Sequence, residues 1–137
     1  MKNTPRALFL VLLMAIAAFT FAQKENKTES DGSMSVKIGD STFVIKQYFF
    51  VMLSDGPNRS QDSLTAEKIQ AAHLKNISRL AQMGKLLVAG PFGDDGKWKG
   101  IFIFNCKTKE EVEELVKTDP AVAAGRLSYE LHPWSCN

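Results

Sequence analysis

Residues 43–53 (FVIKQYFFVML) constrain the fold of this chain more than any other segment. The segment is rich in aromatic and β-branched residues, which favour a long buried strand. Its last six residues are aromatic or aliphatic at every position, so both faces of the strand are apolar. Helices packed on a sheet cover only one of its faces, and the other face needs a second partner. We therefore expect a homodimer packed sheet to sheet.

The remaining patterns of turns, caps and apolar periods place two helices and three further main strands along the chain. A Thr-x-x-Glu capping box begins the second helix at Thr108, and Pro120 ends it because the residue before proline avoids helical geometry. The predicted order is strand, helix, strand, strand, helix, strand. This order is typical of the α+β class with a ferredoxin-like βαββαβ fold, an antiparallel sheet with both helices on one face. The predicted elements are a short hairpin strand 36–38, the strand 43–53, a helix from 62 or 63 to about 83, strands 86–89 and 98–106, a helix 109–118 and a strand 126–132.

The chain begins with a segment that we exclude from the fold. Residues 1–22 combine Lys2 and Arg6 with a long apolar run and small residues before Gln23, which is typical of a secretory signal peptide. An uncleaved membrane anchor is the alternative, although the apolar run is shorter than the roughly 20 residues that a spanning helix needs. Residues 23–35 predict a flexible linker, and residues 36–137 predict one folded domain. We expect a secreted or periplasmic protein with no membrane attachment after cleavage.

The charge balance argues against a nucleic-acid partner. Two of the 17 Lys and Arg residues lie in the leader, which leaves 15 basic residues beside the 15 acidic ones. A nucleic-acid-binding domain favours a strongly basic face, and this balance does not provide one.

Two cysteines, Cys106 and Cys136, follow the leader. An even number of cysteines in an oxidising compartment suggests a disulfide, and a closed loop of about 30 residues would contribute about 3–4 kcal/mol. The geometry that a disulfide requires is not visible in a sequence, so a free pair of thiols is an equal alternative. No Cys-x-x-Cys or His/Cys cluster has metal-ligand spacing, and we expect no metal.

A histidine, His73, lies on the apolar face of the first predicted helix, among residues that recur every three or four positions. A polar, titratable ring among core positions is costly unless a partner offsets the cost. His73 is therefore either a structural histidine with a satisfied ring or part of a functional site. Asp119 ends the second helix, and the two helices share one face of the sheet, so the two side chains could meet.

Several short patterns together resemble the YciI-like (YCII-related) family of small dimeric α+β-barrel proteins. They span residues 48 to 134 and keep the order of that family: His73-Leu74, Gly84, the 86–91 segment ending in Gly90-Pro91, Asp119-Pro120, Gly125 and Pro133-Trp134. The resemblance implies a ferredoxin-like fold, dimerisation through the sheet and a His–Asp site, which corresponds here to His73 and Asp119. The leader and the two cysteines differ from a family that is mainly cytoplasmic.

Three functional hypotheses follow. In the first, His73 is a general base that Asp119 orients, in an exported lyase- or isomerase-like enzyme that acts on small molecules without a cofactor. In the second, the chain is a non-catalytic dimeric module that binds a small ligand or a partner protein. A haem or oxygen-dependent enzyme with His73 as axial ligand is a third hypothesis, because related dimeric barrels have such roles.

Three further residues are weaker candidates for substrate binding. Arg59 in the loop after the long strand could bind an acidic group. Trp98 could stack on an aromatic ligand, and His132 in the last strand could line the site. A solvated arginine, a packed tryptophan and a surface histidine are the corresponding structural alternatives.

Overall fold

The computed structural model describes residues 32–137, which form five strands and three helices. The predicted signal peptide, residues 1–22, lies outside the described residues. No helix within residues 32–137 is long and apolar enough to cross a membrane. The elements, in chain order, are β1 Ser33–Ile38, β2 Ser41–Asp55, α1 Ser63–Gln82, β3 Leu86–Pro91, β4 Trp98–Phe104, α2 Lys109–Lys117, α3 Pro120–Ala123 and β5 Leu127–Cys136.

The strands form one antiparallel sheet in which β2 is central. Its second half lies between β5 on one side and β4 on the other, and β3 pairs with β4. The order β5-β2-β4-β3 is that of a ferredoxin-like βαββαβ fold, which confirms the predicted fold class. The first half of β2 pairs with β1 through the Gly39-Asp40 turn, so the predicted N-terminal hairpin is also present.

The hydrophobic core lies between one face of the sheet and the helices. Alternate residues of β2 (Phe49, Val51 and Leu53) are buried on this face. They pack with Phe102 and Phe104 of β4. The helices contribute Leu80, Val112 and Val116. The residues between them in β2 point to the opposite face and stay partly exposed, as a strand with side chains of period two requires.

Local signals set the helix ends. Asp62 caps α1 by accepting the backbone N–H of Thr65 at 2.8 Å. Gly84, with φ of 67°, follows the end of α1 in the left-handed conformation that glycine adopts without strain. Thr108 caps α2 by accepting the N–H of Glu111 at 3.2 Å, as its capping box predicts.

Several strand boundaries differ from the prediction, and the two largest differences are in β1 and β5. β1 begins at Ser33, so the last three residues of the predicted 23–35 linker belong to a strand. β5 continues through Pro133 to Cys136 instead of ending at His132. Proline has no N–H to donate, but β5 pairs only with β2 in the described sheet and Pro133 is therefore tolerated at this edge.

Candidate active site

The two residues of the predicted His–Asp pair come from different parts of the fold. His73 lies on the buried face of α1, where its ring stacks on the Phe102 ring at 6.1 Å between centroids. Asp119 lies between α2 and α3, in the extended conformation that the following proline favours. Its Oδ1 accepts the backbone N–H of Ala121 at 2.8 Å and so caps α3. The other carboxylate oxygen is left for a partner.

That partner is His73. The Nδ1 atom of His73 lies 2.7 Å from Oδ2 of Asp119, and the two side chains are 11% and 1% exposed. An ionised carboxylate only accepts hydrogen bonds, so Nδ1 of a neutral ring carries the hydrogen and donates it. Nε2 then holds the lone pair, which makes it the atom of the ring that can accept a proton. The pair has the geometry of a base and its orienting carboxylate.

A polar network lies beside this pair, and sequence reasoning missed it. Asn76, one helical turn after His73, accepts hydrogen bonds through Oδ1 from Nη2 of Arg79 at 2.7 Å and from the Thr118 hydroxyl at 3.3 Å. Arg79 also donates to the Thr118 hydroxyl at 2.8 Å. The network therefore ties α1 to the residue that precedes Asp119. Among the described residues, Nδ2 of Asn76 is buried without a hydrogen-bond partner. Asn76 lies three residues after His73 and four before Leu80, and this helical spacing was the signal that could have placed Asn76 on the buried face of α1.

His73 lines a cavity of about 390 Å³ between α1 and the sheet. This volume lies in the range of small-molecule sites. Its wall is mainly apolar and includes Leu53, Ile77 and Phe102. Gly90 and Gly100 form part of it, and the backbones of β3 and β4 approach closely there: a Cβ on Gly100 would lie 2.5 Å from the carbonyl oxygen of Gly90. A larger cavity of about 470 Å³ lies along the Asn76 side of α1 and does not include His73.

A second, polar cavity of about 340 Å³ adjoins the first, because Gln70, Lys99 and Leu127 line both. It is also lined by Asp55, Arg59 and Arg126. Arg59 pairs with Asp55 at 3.1 Å, and Lys99 reaches the same carboxylate at 3.5 Å. Basic side chains therefore lie beside the apolar cavity that holds His73.

The YCII-related domain matches residues 48–135, which is more than half of the chain and covers both residues of the pair. The chain belongs to the YCII-related family. Among solved structures, this YCII-related chain is similar to the 5-chloro-2-hydroxyhydroquinone dehydrochlorinase (TftG) from Burkholderia phenoliruptrix AC1100, in complex with 2,5-dihydroxybenzoquinone. The sequence identity is 25%, the match covers 64% of this chain and 92% of that chain, and the TM-score is 0.49. A search among curated proteins finds no match to this chain.

The weaker candidates of this YCII-related domain separate by sheet face. Arg59 lines the polar cavity. His132 pairs with Phe50 in the register and is exposed on the opposite face, where Nε2 lies 3.8 Å from Glu130. Trp98 lies under Nζ of Lys97 at 4.2 Å from the ring centroid and does not line the cavity of His73. His132 and Trp98 are therefore not among the residues that line the His73 cavity.

Cys106 and Cys136 are free thiols in this structure, so the possible disulfide is not formed. Cys106 follows β4 and Cys136 ends β5, and these strands lie on opposite sides of β2. Two strand spacings amount to about 10 Å, whereas bonded cysteines need Cα atoms within about 7 Å. Within residues 32–137, no three His, Cys, Asp or Glu side chains are grouped so that they could hold a metal ion.

Proposed function

We propose that this chain is an acid–base enzyme of lyase or isomerase type that acts on small molecules, with His73 as the base and Asp119 as its orienting partner. The observation that carries the proposal is the buried 2.7 Å contact between His73 Nδ1 and Asp119 Oδ2. A carboxylate in this position selects the tautomer with a free Nε2 and stabilises the imidazolium that forms when Nε2 takes a proton. The adjoining 390 Å³ cavity supports the proposal because it gives a small molecule access to the ring.

The proposed step begins with a substrate that carries an acidic C–H next to a carbonyl, or a phenolic O–H. Nε2 of His73 accepts the proton, and the electron pair of the broken C–H or O–H bond remains on the substrate as an enolate or a phenolate. In isomerisation, the imidazolium returns the proton to a different atom of the substrate. In elimination, the electron pair of the enolate or phenolate forms a new double bond while the bond to the leaving group breaks with its own electron pair, and the imidazolium protonates the group that departs. The apolar walls around the ring, with Leu53 and Ile77, keep bulk water away from the proton during the transfer.

We also propose that the enzyme is a homodimer. On the outer face of the sheet, Trp134 lies against Tyr48 and Phe50, with ring centroids 6.2 and 6.1 Å apart. The exposed aromatic surface of Trp134 supports a second sheet as its cover. Sedimentation of the wild type and of a Trp134→Lys variant tests this, with a loss of dimer expected in the variant. We further propose that the protein acts outside the cytoplasm, on the basis of the predicted leader 1–22.

Hydrogen exchange at carbon tests the proposed reaction without knowledge of the natural substrate. The protein is incubated in D₂O with a panel of cyclic dicarbonyl compounds and hydroxyquinones, and proton NMR follows the loss of exchangeable C–H signals. We expect catalysed exchange with at least one compound class, a loss of about 10²–10⁴-fold in His73→Ala, and a smaller loss in Asp119→Asn.

The control is Lys109→Gln, which removes an exposed charge from α2, away from both the His73 cavity and the outer face of the sheet, and should leave the exchange rate unchanged. If His73→Ala retains the wild-type exchange rate, the proposal is wrong. If the wild type catalyses no exchange while a compound still shifts the NMR signals of the His73 ring, the alternative function, a non-catalytic binding module, takes its place.

A further inference from the structure

The polar cavity beside the His73 cavity is built from cationic side chains of three separate segments. Arg59 comes from the loop after β2, Lys99 from the start of β4 and Arg126 from the turn before β5. The two cavities share Gln70, Lys99 and Leu127 as common walls. A single small molecule can therefore contact the apolar wall, the His73 ring and these cations together.

A β-bulge explains the position of Lys99. Leu53 of β2 pairs with Gly100, whereas the next residue, Ser54, pairs with Trp98, so Lys99 is the extra residue of β4. A bulge of this kind re-aims a side chain relative to the alternation of its strand. Neighbouring residues of a regular strand face opposite sides of the sheet. Here Lys99 and its neighbour Gly100 both line the His73 cavity on the helix side, and Lys99 also lines the polar cavity.

Backbone contacts hold the other two cations in place. The N–H of Gly56 donates to the carbonyl oxygen of Arg126 at 2.8 Å, and the N–H of Asn58 donates to that of Gly125 at 2.9 Å. Arg59 adds a bond from Nη1 to the Arg126 carbonyl oxygen at 3.1 Å. The loop of Arg59 is thus fastened to the turn of Arg126, and the two guanidinium groups do not depend on a free loop for their position.

The charges of this cavity do not balance. Asp55 is the one carboxylate in its lining, and it faces both Arg59 and Lys99. Nη1 of Arg126 instead donates to the neutral Oε1 of Gln61 at 2.8 Å, and no carboxylate of residues 32–137 forms an ion pair with it. Three cations beside one carboxylate leave an excess of positive charge, which attracts an anion.

We propose that Arg126, Lys99 and Arg59 bind a carboxylate of the substrate while its apolar, ring-sized body occupies the cavity beside His73. This inference rests on the acid–base function proposed above and narrows its substrates to cyclic or aromatic carboxylic acids. A guanidinium group binds a planar carboxylate through two parallel N–H bonds, which also orients the ligand. Fixing the acid group in this way places the reacting part of the ring at a constant distance from Nε2 of His73.

Binding of a simple probe pair tests the anion site. Fluorine NMR measures the affinity of 4-fluorobenzoate and of its neutral counterpart 4-fluorobenzamide for the wild type, Arg126→Gln and Arg59→Gln. We expect the benzoate to bind more tightly than the amide, and Arg126→Gln to weaken the benzoate by about five- to tenfold with little effect on the amide. Added salt should weaken the benzoate alone.

The control is Lys109→Gln on α2. This residue is an exposed cation that lines neither cavity and pairs with Glu113 at 3.5 Å. The substitution should leave the affinity for the benzoate unchanged. The carboxylate site is overturned if Arg126→Gln and Arg59→Gln bind the benzoate as the wild type does, if benzoate and amide bind equally, or if phenyl phosphate binds more tightly than benzoate in the same assay. These outcomes leave the hydrogen-exchange test of the His73–Asp119 pair unaffected, so the two proposals can fail separately.

Discussion

Replacement of the Asp119 carboxylate tests the candidate site and the local fold together, because its two oxygens have different partners. Oδ1 accepts the Ala121 N–H at 2.8 Å and Oδ2 faces Nδ1 of His73 at 2.7 Å. Asp119→Asn keeps an oxygen for the cap but turns an amide donor toward a ring nitrogen that is itself a donor. Asp119→Ala removes both contacts. The difference between the two variants separates the cap from the pair.

The expected losses in the free energy of unfolding follow from the two contacts. Loss of a helix cap costs about 1 kcal/mol. Loss of a hydrogen bond to a charged group costs about 1.5–3 kcal/mol. Asp119 is 1% exposed, so solvent screening does not reduce the second value. We therefore expect a loss of about 2 kcal/mol for Asp119→Asn and about 3–4 kcal/mol for Asp119→Ala.

Urea unfolding followed by far-ultraviolet circular dichroism and tryptophan fluorescence measures these losses. A double-mutant cycle with His73→Ala and Asp119→Asn isolates the pairwise term, for which we expect a coupling energy of about 1.5–3 kcal/mol. Lys109→Gln is the control: Lys109 is exposed on α2, pairs with Glu113 at 3.5 Å, and its replacement should change stability by less than about 0.5 kcal/mol.

Two results would refute this reasoning. A coupling energy below about 0.5 kcal/mol would mean that the 2.7 Å contact does not stabilise the protein. Equal stability of Asp119→Asn and Asp119→Ala would mean that Oδ1 does not act as a cap for α3.

Three further outcomes are expected. Burial is the main cause that raises the pKa of Cys106 to about 11, and the charge of the Glu111 carboxylate is the second. Iodoacetamide at pH 8 should therefore modify Cys136 much faster than Cys106 in the folded protein, and equal rates would contradict this. The hydrogen bond from Lys85, with that from the Lys107 N–H, lowers the pKa of Glu111. The pKa of Glu111 is lower in the folded protein than in the unfolded chain. Its contribution to stability is therefore complete above the ordinary glutamate range and is lost as the pH falls through the folded value. Between pH 6 and about pH 3.5, the urea midpoint should fall less for Glu111→Gln than for the wild type. Gly56→Ala would place a Cβ 2.2 Å from the carbonyl oxygen of Gly125, so we expect a loss of about 3 kcal/mol in thermal or urea unfolding, and a stable variant would show that the loop can move away.

Much of the local structure could be predicted because its causes are local. The caps at Asp62 and Thr108, the helix stop at Gly84 and the break at Pro120 each depend on residues within one helical turn. The unbroken apolar run in residues 48–53 likewise indicated a strand with two apolar faces. The pairing of His73 with Asp119 was predicted from the shared sheet face of the two helices and from the family resemblance, and the structure brings the two side chains into contact.

Some side-chain positions could not be predicted, because distances across a sheet depend on strand order and register. Cys106 and Cys136 had a plausible spacing along the chain, but β2 separates their strands. His132 could have pointed to either face, and its pairing with Phe50 directs it away from the site. Lys99 and Arg126 belong to no motif that the sequence shows. A bulge in β4 and the turn before β5 bring them to the same cavity.

The sequence by itself determined where the two long helices begin and end, that both faces of residues 48–53 are apolar, and that a titratable ring lies on the core side of α1. These features arise from propensities and periods of a few residues. Only the tertiary structure decided which side chains share a cavity, because the residues that line one come from distant parts of the chain: Arg59 and Arg126, for example, are 67 residues apart. Contacts between residues so far apart in the chain depend on the order and register of the strands in the sheet, and no local sequence pattern specifies their distances.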